Sequence, residues 1–305
     1  MKLGYLFSGQ GKQFAGMGQD LYRQESVYRQ TVEEASEALG MDLNDAAVLD
    51  KPVNTQVAIV TMSTGLYRIM AKEGGLPLGV TGLSLGEYSA LLAAGGLTFA
   101  DTLHLVQDRS TYMDQAGKAH PGKMAAVLKT NAAMVDQAIA FGAKQGPIYA
   151  ANYNTDSQIV IGGSPEGLEA VTDYLHDHGV KRVVPLKMTV ASHTPFMQEA
   201  SDLLADRIQG VDFHKLAFPV ISNTTAQPFD MSMIKQTLVA QLIKPTHFAD
   251  CLTQLTQLGC DTLVELGPGD TLMKFAKKAV DKGHTCHIDS VETLNDFRSK
   301  IKLVK

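Results

Sequence analysis

Short apolar runs alternate with amphipathic segments along most of the chain, and this pattern predicts an α/β fold with a central, mostly parallel sheet. The apolar runs at residues 3–7, 78–81, 219–223, 262–266 and 286–288 predict strands. The segments between them predict helices at 25–39, 54–72, 85–94 and 270–280, with Asn54 and Asp270 as N-caps. Thr98 and Asp101 have capping-box spacing at the start of a further helix. We expect the tail from residue 291 to be a solvated helix.

The pattern changes between residues 122 and 187. Predicted strands at 124–128, 148–152, 158–162 and 181–186 alternate with predicted helices at 131–145 and 165–178. The resulting order, β-α-β-β-α-β, is that of a ferredoxin-like unit. We therefore predict an inserted subdomain at 122–187 within a main body formed by 1–121 and 188–305. The Asn152–Asn154 stretch and the Gly162-Gly163 pair are expected in loops at one end of the insertion.

Composition narrows the range of functions. The net charge of −5 and the pI of about 6.0 argue against nucleic-acid binding as the main role. The three cysteines have no metal-site spacing, so we expect reduced thiols and no bound metal. No apolar run approaches the ~18 residues of a membrane span, and the apolar start is too short for a signal peptide. A soluble cytoplasmic protein without membrane attachment is expected.

The stretch Gly82-Leu83-Ser84-Leu85-Gly86 connects a predicted strand to a predicted helix. The pattern G-x-S-x-G is that of a nucleophile elbow, in which a sharp turn presents the serine hydroxyl at the edge of the sheet. The first helical N–H groups would then point at the same place and could stabilise an oxyanion. A glycine-rich turn with a capping serine is the simpler alternative, and the flanking strand and helix favour the nucleophile.

Three further polar residues are candidates for the same site. Gln10 lies in a glycine-rich loop after the first strand, where it either offers a donor to a pocket or is simply solvated. Arg109 falls on or beside an apolar helix face, so its side chain either extends to water or meets an anion. His193 lies on a short segment before Pro195, where the chain returns from the insertion. It is the histidine that we select as catalytic.

Taken together, these segments resemble the malonyl-CoA:acyl-carrier-protein transacylases of fatty acid synthesis. The resemblance spans nearly the whole chain. It rests on the motifs Phe7-Ser-Gly-Gln-Gly-Lys-Gln13, Gly82-Leu-Ser-Leu-Gly-Glu-Tyr-Ser-Ala90, Leu105-Val-Gln-Asp-Arg109, Ala191-Ser-His193, Gln241-Leu-Ile-Lys-Pro245 and Val264-Glu-Leu-Gly-Pro-Gly269.

The resemblance implies an α/β-hydrolase-like catalytic body carrying a ferredoxin-like insertion. It also implies a nucleophile at Ser84, a general base at His193 and a carboxylate-binding arginine at Arg109. The oxyanion donors would be Gln10 and the backbone N–H of Leu85. A backbone carbonyl at Gln241 would orient the histidine, in place of the acidic residue of an ordinary triad.

The chain departs from the family pattern at two positions. Leu83 stands where the family usually has histidine, and Ser8 where it usually has proline. Because an elbow serine points away from its neighbours, Leu83 should not remove a catalytic group. It could change the shape of the pocket and with it the acyl preference.

The implied reaction is ping-pong transfer of malonyl from malonyl-CoA to the phosphopantetheine thiol of acyl-carrier protein, through a malonyl-serine ester and without a metal or redox cofactor. We expect a monomer that binds its acidic carrier transiently through a local basic patch. Candidates for this patch are Lys181, Arg182, Lys187, Lys277 and Lys278.

Three alternative functions remain open. One is a serine esterase, which needs an acidic residue such as Asp156 between Ser84 and His193 in the chain. Another is a transacylase of a malonate decarboxylase or polyketide system. The third is a carrier-binding module without catalysis.

Overall fold

The computed structural model describes residues 1–187, 190–279 and 284–302. It contains two β-sheets with helices packed around them. The strands are β1 Leu3–Phe7, β2 Gly79–Gly82, β3 Lys123–Leu128, β4 Ile148–Thr155, β5 Gln158–Gly163, β6 Arg182–Pro185, β7 Val220–Ile221, β8 Thr262–Leu266 and β9 His284–Ile288. The helices are α1 Gln19–Gln24, α2 Ser26–Leu39, α3 Ala46–Leu49, α4 Thr55–Lys72, α5 Gly86–Ala93, α6 Phe99–Ala119, α7 Ala132–Gly142, α8 Pro165–Asp177, α9 Gln198–Arg207, α10 Ile234–Gln241, α11 Phe248–Gln257, α12 Thr271–Ala279 and α13 Val291–Lys302.

The first sheet is parallel, with strand order β7-β2-β1-β8-β9. Its register pairs Phe7 at the end of β1 with both Gly82 and Leu266. The loops that follow β1, β2 and β8 therefore leave the sheet side by side at one edge. The carboxyl edge of a parallel sheet is where α/β proteins bind ligands.

Helices cover both faces of this sheet, as the continuous apolar runs of its strands require. Along β1, Tyr5 and Phe7 pack into the larger core cluster with α4. Leu6 points to the opposite face and packs with Phe248 of α11 and Leu272 of α12.

The second sheet is antiparallel, with strand order β4-β5-β3-β6, and all of its strands lie between Lys123 and Pro185. Helices α7 and α8 pack on it around a separate core that includes Val127, Ile161 and Val171. The predicted fold class is confirmed. The boundaries at 122 and 187 stay a prediction.

Several local predictions need correction. Asn152–Asn154 and Gly162-Gly163 lie inside β4 and β5 rather than in loops, because register shifts after Ala150 and Tyr153 let β4 continue to Thr155. The tail helix α13 is not simply solvated, since Leu294 and Phe297 are buried in the core.

Predicted caps and helix ends have mixed outcomes. The Asn54 side chain does not cap α4: the backbone of Asn54 is already helical, and its side-chain NH₂ group donates to the Val48 carbonyl. The Thr98 hydroxyl caps α6 as expected, accepting the backbone N–H of Asp101 at 3.1 Å. The predicted end of a helix at Val280 lies outside the described residues.

Within the described residues, no helix combines the length and the apolar character needed to cross a membrane.

Candidate active site

Ser84 occupies the sharp turn between β2 and α5, with a φ of 54°. That left-handed conformation is unfavourable for a residue with a side chain and is found where the surrounding structure enforces it. Both flanking glycines are sterically required. A Cβ on Gly82 would lie 2.1 Å from the carbonyl group of Gly86, and one on Gly86 would lie 2.0 Å from the Phe7 carbonyl oxygen.

The imidazole of His193 lies against the Ser84 hydroxyl, with 2.9 Å between Nε2 and Oγ. Its other nitrogen, Nδ1, is 2.7 Å from the backbone carbonyl oxygen of Gln241. A carbonyl oxygen can only accept a hydrogen bond, so Nδ1 carries the proton and Nε2 is free to accept from the serine. Asp156, the acid that an esterase triad would need, is exposed on the insertion.

His193 is 4% exposed. Burial is the main cause that lowers its pKa to about 4; the hydrogen bond with the Gln241 carbonyl opposes this shift, and the positive charge of Arg109 contributes to it. The imidazole is therefore neutral at neutral pH. A neutral imidazole is the form that can take a proton from serine.

Arg109 is fully buried on α6, and its guanidinium does not extend to water. Its Nη1 donates to Gln56 Oε1 at 2.9 Å, while Nη2 donates to Gln241 Oε1 at 3.1 Å and to Ser84 Oγ at 3.2 Å. No ion pair in the described part of the chain includes Arg109. Its Nε likewise has no hydrogen-bond partner among those residues. A buried cation held only by neutral acceptors is a ready site for an anion.

Gln10 and Leu85 lie in the two loops that follow the paired strands β1 and β2. Gln10 is exposed after β1, and its Oε1 accepts a hydrogen bond from Gln56 Nε2 at 3.0 Å. Gln56 thereby links Gln10 to Arg109. Leu85 is the residue before α5, and its N–H has no hydrogen-bond acceptor within the described ranges.

The structure adds three buried polar residues that the sequence analysis did not select: Gln56 at the start of α4, Glu87 in α5 and Asn223 after β7. Asn223 Oδ1 accepts the Ser84 N–H at 2.7 Å. Burial raises the pKa of Glu87 to about 7, although hydrogen bonds from Asn223 and Gln241 oppose this shift. The signal for Glu87 was available in the sequence, since it is the single charged residue in the predicted apolar helix 85–94.

A cleft of about 780 Å³ opens next to these residues. It is lined by Gln10, Gln56, Met113, Lys187 and Ser192 among others. Ser192 adjoins His193, and Met113 lies one helical turn beyond Arg109, so the cleft lies beside the half-buried Ser84.

Comparison with known proteins identifies the family. The profile of the family described as an acyl transferase domain matches residues 4–296. The malonyl CoA-acyl carrier protein transacylase of Bacillus subtilis (strain 168) is 34% identical over 301 residues, covering 96% of this chain and 95% of the relative. The chain belongs to the malonyl CoA-acyl carrier protein transacylase family.

Solved structures of this transacylase family agree with the fold. The crystal structure of MCAT from Streptococcus pneumoniae matches with a TM-score of 0.94 and 36% identity, covering 98% of this chain and 100% of that one. A malonyl-transacylase in complex with its type II PKS acyl-carrier protein matches with a TM-score of 0.91 and 32% identity, covering 97% of this chain and 98% of that one.

Proposed function

We propose that this chain transfers a malonyl group from malonyl-CoA to the phosphopantetheine thiol of acyl-carrier protein, for fatty acid biosynthesis. One observation carries the proposal: the Ser84 hydroxyl contacts both a neutral histidine and a buried arginine. The histidine can activate the hydroxyl, and the arginine can hold the second carboxyl group of a malonyl unit. Family membership supports the same activity.

In the first half-reaction, His193 Nε2 takes the Ser84 proton as Oγ attacks the thioester carbonyl carbon. The negative charge that develops on the carbonyl oxygen is stabilised by donors at Gln10 and the Leu85 N–H, each such donor typically contributing about 3 kcal/mol. The carbon–sulfur bond then breaks, and His193 gives the proton to the departing coenzyme A thiolate. A malonyl-serine ester remains.

In the second half-reaction, the phosphopantetheine thiol of the carrier enters the same site. His193 takes the thiol proton as sulfur attacks the ester carbonyl, and returns it to Ser84 Oγ when the ester bond breaks. All atoms and charges balance without a metal or a redox cofactor. The Gln241 carbonyl keeps the imidazole in the required tautomer throughout.

The structural neighbour solved with an acyl-carrier protein supports a carrier of that type as the acceptor. The five basic residues suggested for docking are all exposed, and Lys187 lines the cleft. We further propose a cytoplasmic location, which the free thiols of Cys251, Cys260 and Cys286 support because reducing compartments keep cysteines unpaired.

Intact-mass measurement after mixing with malonyl-CoA tests the proposed function directly. We expect a gain of one malonyl group on the wild-type chain, and none on Ser84→Ala. Addition of phosphopantetheinylated acyl-carrier protein should discharge the adduct onto the carrier. Rapid release of free malonate without any thiol acceptor would instead indicate a hydrolase.

A further inference from the structure

Glu87 is a fully buried carboxyl group that the mechanism above leaves without a task. It lies three residues after Ser84, in the first turn of α5. A buried carboxylate is costly unless donors surround it. The hydrogen-bond donors around Glu87 therefore indicate its role.

Among the described residues, two donors next to Ser84 reach the carboxyl oxygens of Glu87, and the neighbouring Ser222 hydroxyl also stabilises the ionised carboxyl. Oε1 accepts the backbone N–H of Asn223, and Oε2 accepts Nε2 of Gln241. The same Gln241 Nε2 also donates to the Ser84 carbonyl oxygen at 3.1 Å. Both N–H groups of the Gln241 amide are thus engaged in hydrogen bonds to residues at the start of α5.

The orientation of the Gln241 amide determines what Arg109 meets. With Nε2 turned to Glu87, Oε1 faces the guanidinium and accepts from Nη2 at 3.1 Å. A flipped amide would turn its oxygen toward the carboxylate and its NH₂ group toward the guanidinium. With Glu87 ionised, both contacts would then be repulsive, because a carboxylate only accepts and a guanidinium group only donates.

We infer that Glu87 is a positioning residue for Arg109. It sets the Gln241 amide so that its oxygen holds the guanidinium beside Ser84, and in this way it favours malonyl over acyl groups without a second carboxylate. The inference rests on the proposed function and names a residue that determines its specificity.

Glu87→Gln is the informative variant because it preserves size while replacing one acceptor by a donor. The Asn223 N–H belongs to the backbone and still needs the new amide's oxygen. The NH₂ group of the new amide must therefore face Gln241, which has to rotate and turn its own NH₂ toward Arg109. Arg109 then loses an acceptor and faces a donor.

The test compares kcat/KM for Ser84 acylation by malonyl-CoA and by acetyl-CoA in each variant. We expect Glu87→Gln to lower the malonyl-to-acetyl ratio roughly tenfold, the usual scale for a hydrogen bond to a charged group. Glu87→Asp, which keeps an acceptor-only carboxylate, should restore most of that ratio. In an Arg109→Ala background, Glu87→Gln should leave the ratio unchanged, because the group being positioned is gone.

Equal losses for both thioesters in Glu87→Gln would show general structural support and overturn the inference. A further fall of the ratio in the Arg109→Ala background would also overturn it.

If Glu87→Gln fails to fold, Gln241→Met provides the same test, since it removes the oxygen from Arg109 but keeps the carbonyl that His193 needs. An unchanged ratio in Gln241→Met would refute the role. A wild-type chain that forms no malonyl adduct would refute the proposed function itself, whereas a normal adduct with an unchanged Glu87→Gln ratio would refute only the inference.

Discussion

Burial lowers the pKa of both groups that flank Ser84. His193 is neutral because desolvation and the nearby Arg109 charge both disfavour the imidazolium. Burial also lowers the pKa of Arg109, while the negative field of Glu87 opposes that shift. A malonyl carboxylate on Arg109 would neutralise the cation and so ease the protonation of His193 during the reaction. Substrate binding and base strength are thereby linked.

Arg109→Ala should separate malonyl from acetyl substrates. The malonyl carboxylate would lose the buried guanidinium that pairs with it, and breaking such a pair typically costs about 3–5 kcal/mol. We therefore expect malonyl loading of Ser84 to fall by roughly a hundredfold or more. Acetyl loading should change far less, because acetyl leaves the guanidinium without an anion in any case. Comparable losses for the two thioesters, measured by intact mass over time, would contradict the proposed role.

The lowered pKa of His193 should make folding sensitive to acid. In the folded state the His193 imidazole stays neutral until the pH falls to its lowered pKa of about 4. In the unfolded chain it binds a proton near its ordinary pKa of 6.5. The unfolded state then carries more protons, so stability is fully present above pH 6.5 and falls as the pH drops toward 4.

Urea unfolding of wild type and His193→Asn between pH 7 and pH 4 measures this effect. The stability of wild type relative to the variant should decrease by up to about 3 kcal/mol over that range. His104→Asn, at an exposed position, serves as the matched control and should follow wild type. A pH-independent difference between wild type and His193→Asn would argue against the lowered pKa.

At the scale of elements, the site depends on how closely β1, β2 and α5 approach one another. Gly86 brings the start of α5 against the last residue of β1. The turn between them holds Ser84 at a positive φ, which typically costs about 1–3 kcal/mol. The surrounding hydrogen bonds, including Ser84 N–H to Asn223, maintain that conformation.

Gly86→Ala tests this packing. The new methyl group would overlap the Phe7 carbonyl, so α5 must move away from β1. We expect a loss of about 3 kcal/mol or more in unfolding free energy, together with loss of Ser84 acylation. Gly210→Ala is the control, since a Cβ there meets no atom within 4 Å and the backbone is not in the left-handed region. Equal stability of the two variants would show that the close approach does not matter.

At the scale of the whole molecule, the two ends of the chain are joined by one arginine. Arg298 on α13 donates to both carboxylate oxygens of Glu25, at 2.6 and 3.2 Å, and also to Glu73 at the end of α4. Leu294 and Phe297 of the same helix are buried in the core. The C-terminal helix is therefore part of the main body.

Arg298→Leu should lower the unfolding free energy by about 1–3 kcal/mol, because the partly buried Glu25 and the exposed Glu73 lose their shared cation. The rate of transfer per folded molecule should stay at the wild-type value, since Arg298 contacts none of the site residues. Lys118→Leu removes an exposed pair with Asp114 and should change stability by less than about 0.5 kcal/mol. Similar effects of the two substitutions in thermal or urea unfolding would contradict the tethering role.

Local pattern predicted most of the architecture because periodicity and capping are properties of neighbouring residues. Thr98 and Asp101 predicted a cap that forms, and the alternation between 122 and 187 predicted the strand and helix order of the second sheet. Asn54 is a counterexample, since its side-chain NH₂ group donates to the Val48 carbonyl and its oxygen caps no N–H of α4. Sequence pattern was also insufficient for Arg109, because its spacing from the apolar residues of the helix allowed either an exposed or a buried guanidinium.

The α/β class and the elbow with its two required glycines follow from the pattern of amino acids, and the family motifs supplied the proposed roles of Ser84, His193 and Arg109. The folded chain shows that these three side chains meet, that Gln241 contributes both its carbonyl and its amide, and that Glu87 and Asn223 form hydrogen bonds around the turn. The physical reason is that an elbow or a cap depends on adjacent residues. The charge state and orientation of a buried group depend instead on partners from distant parts of the chain, which come together only when the sheet forms.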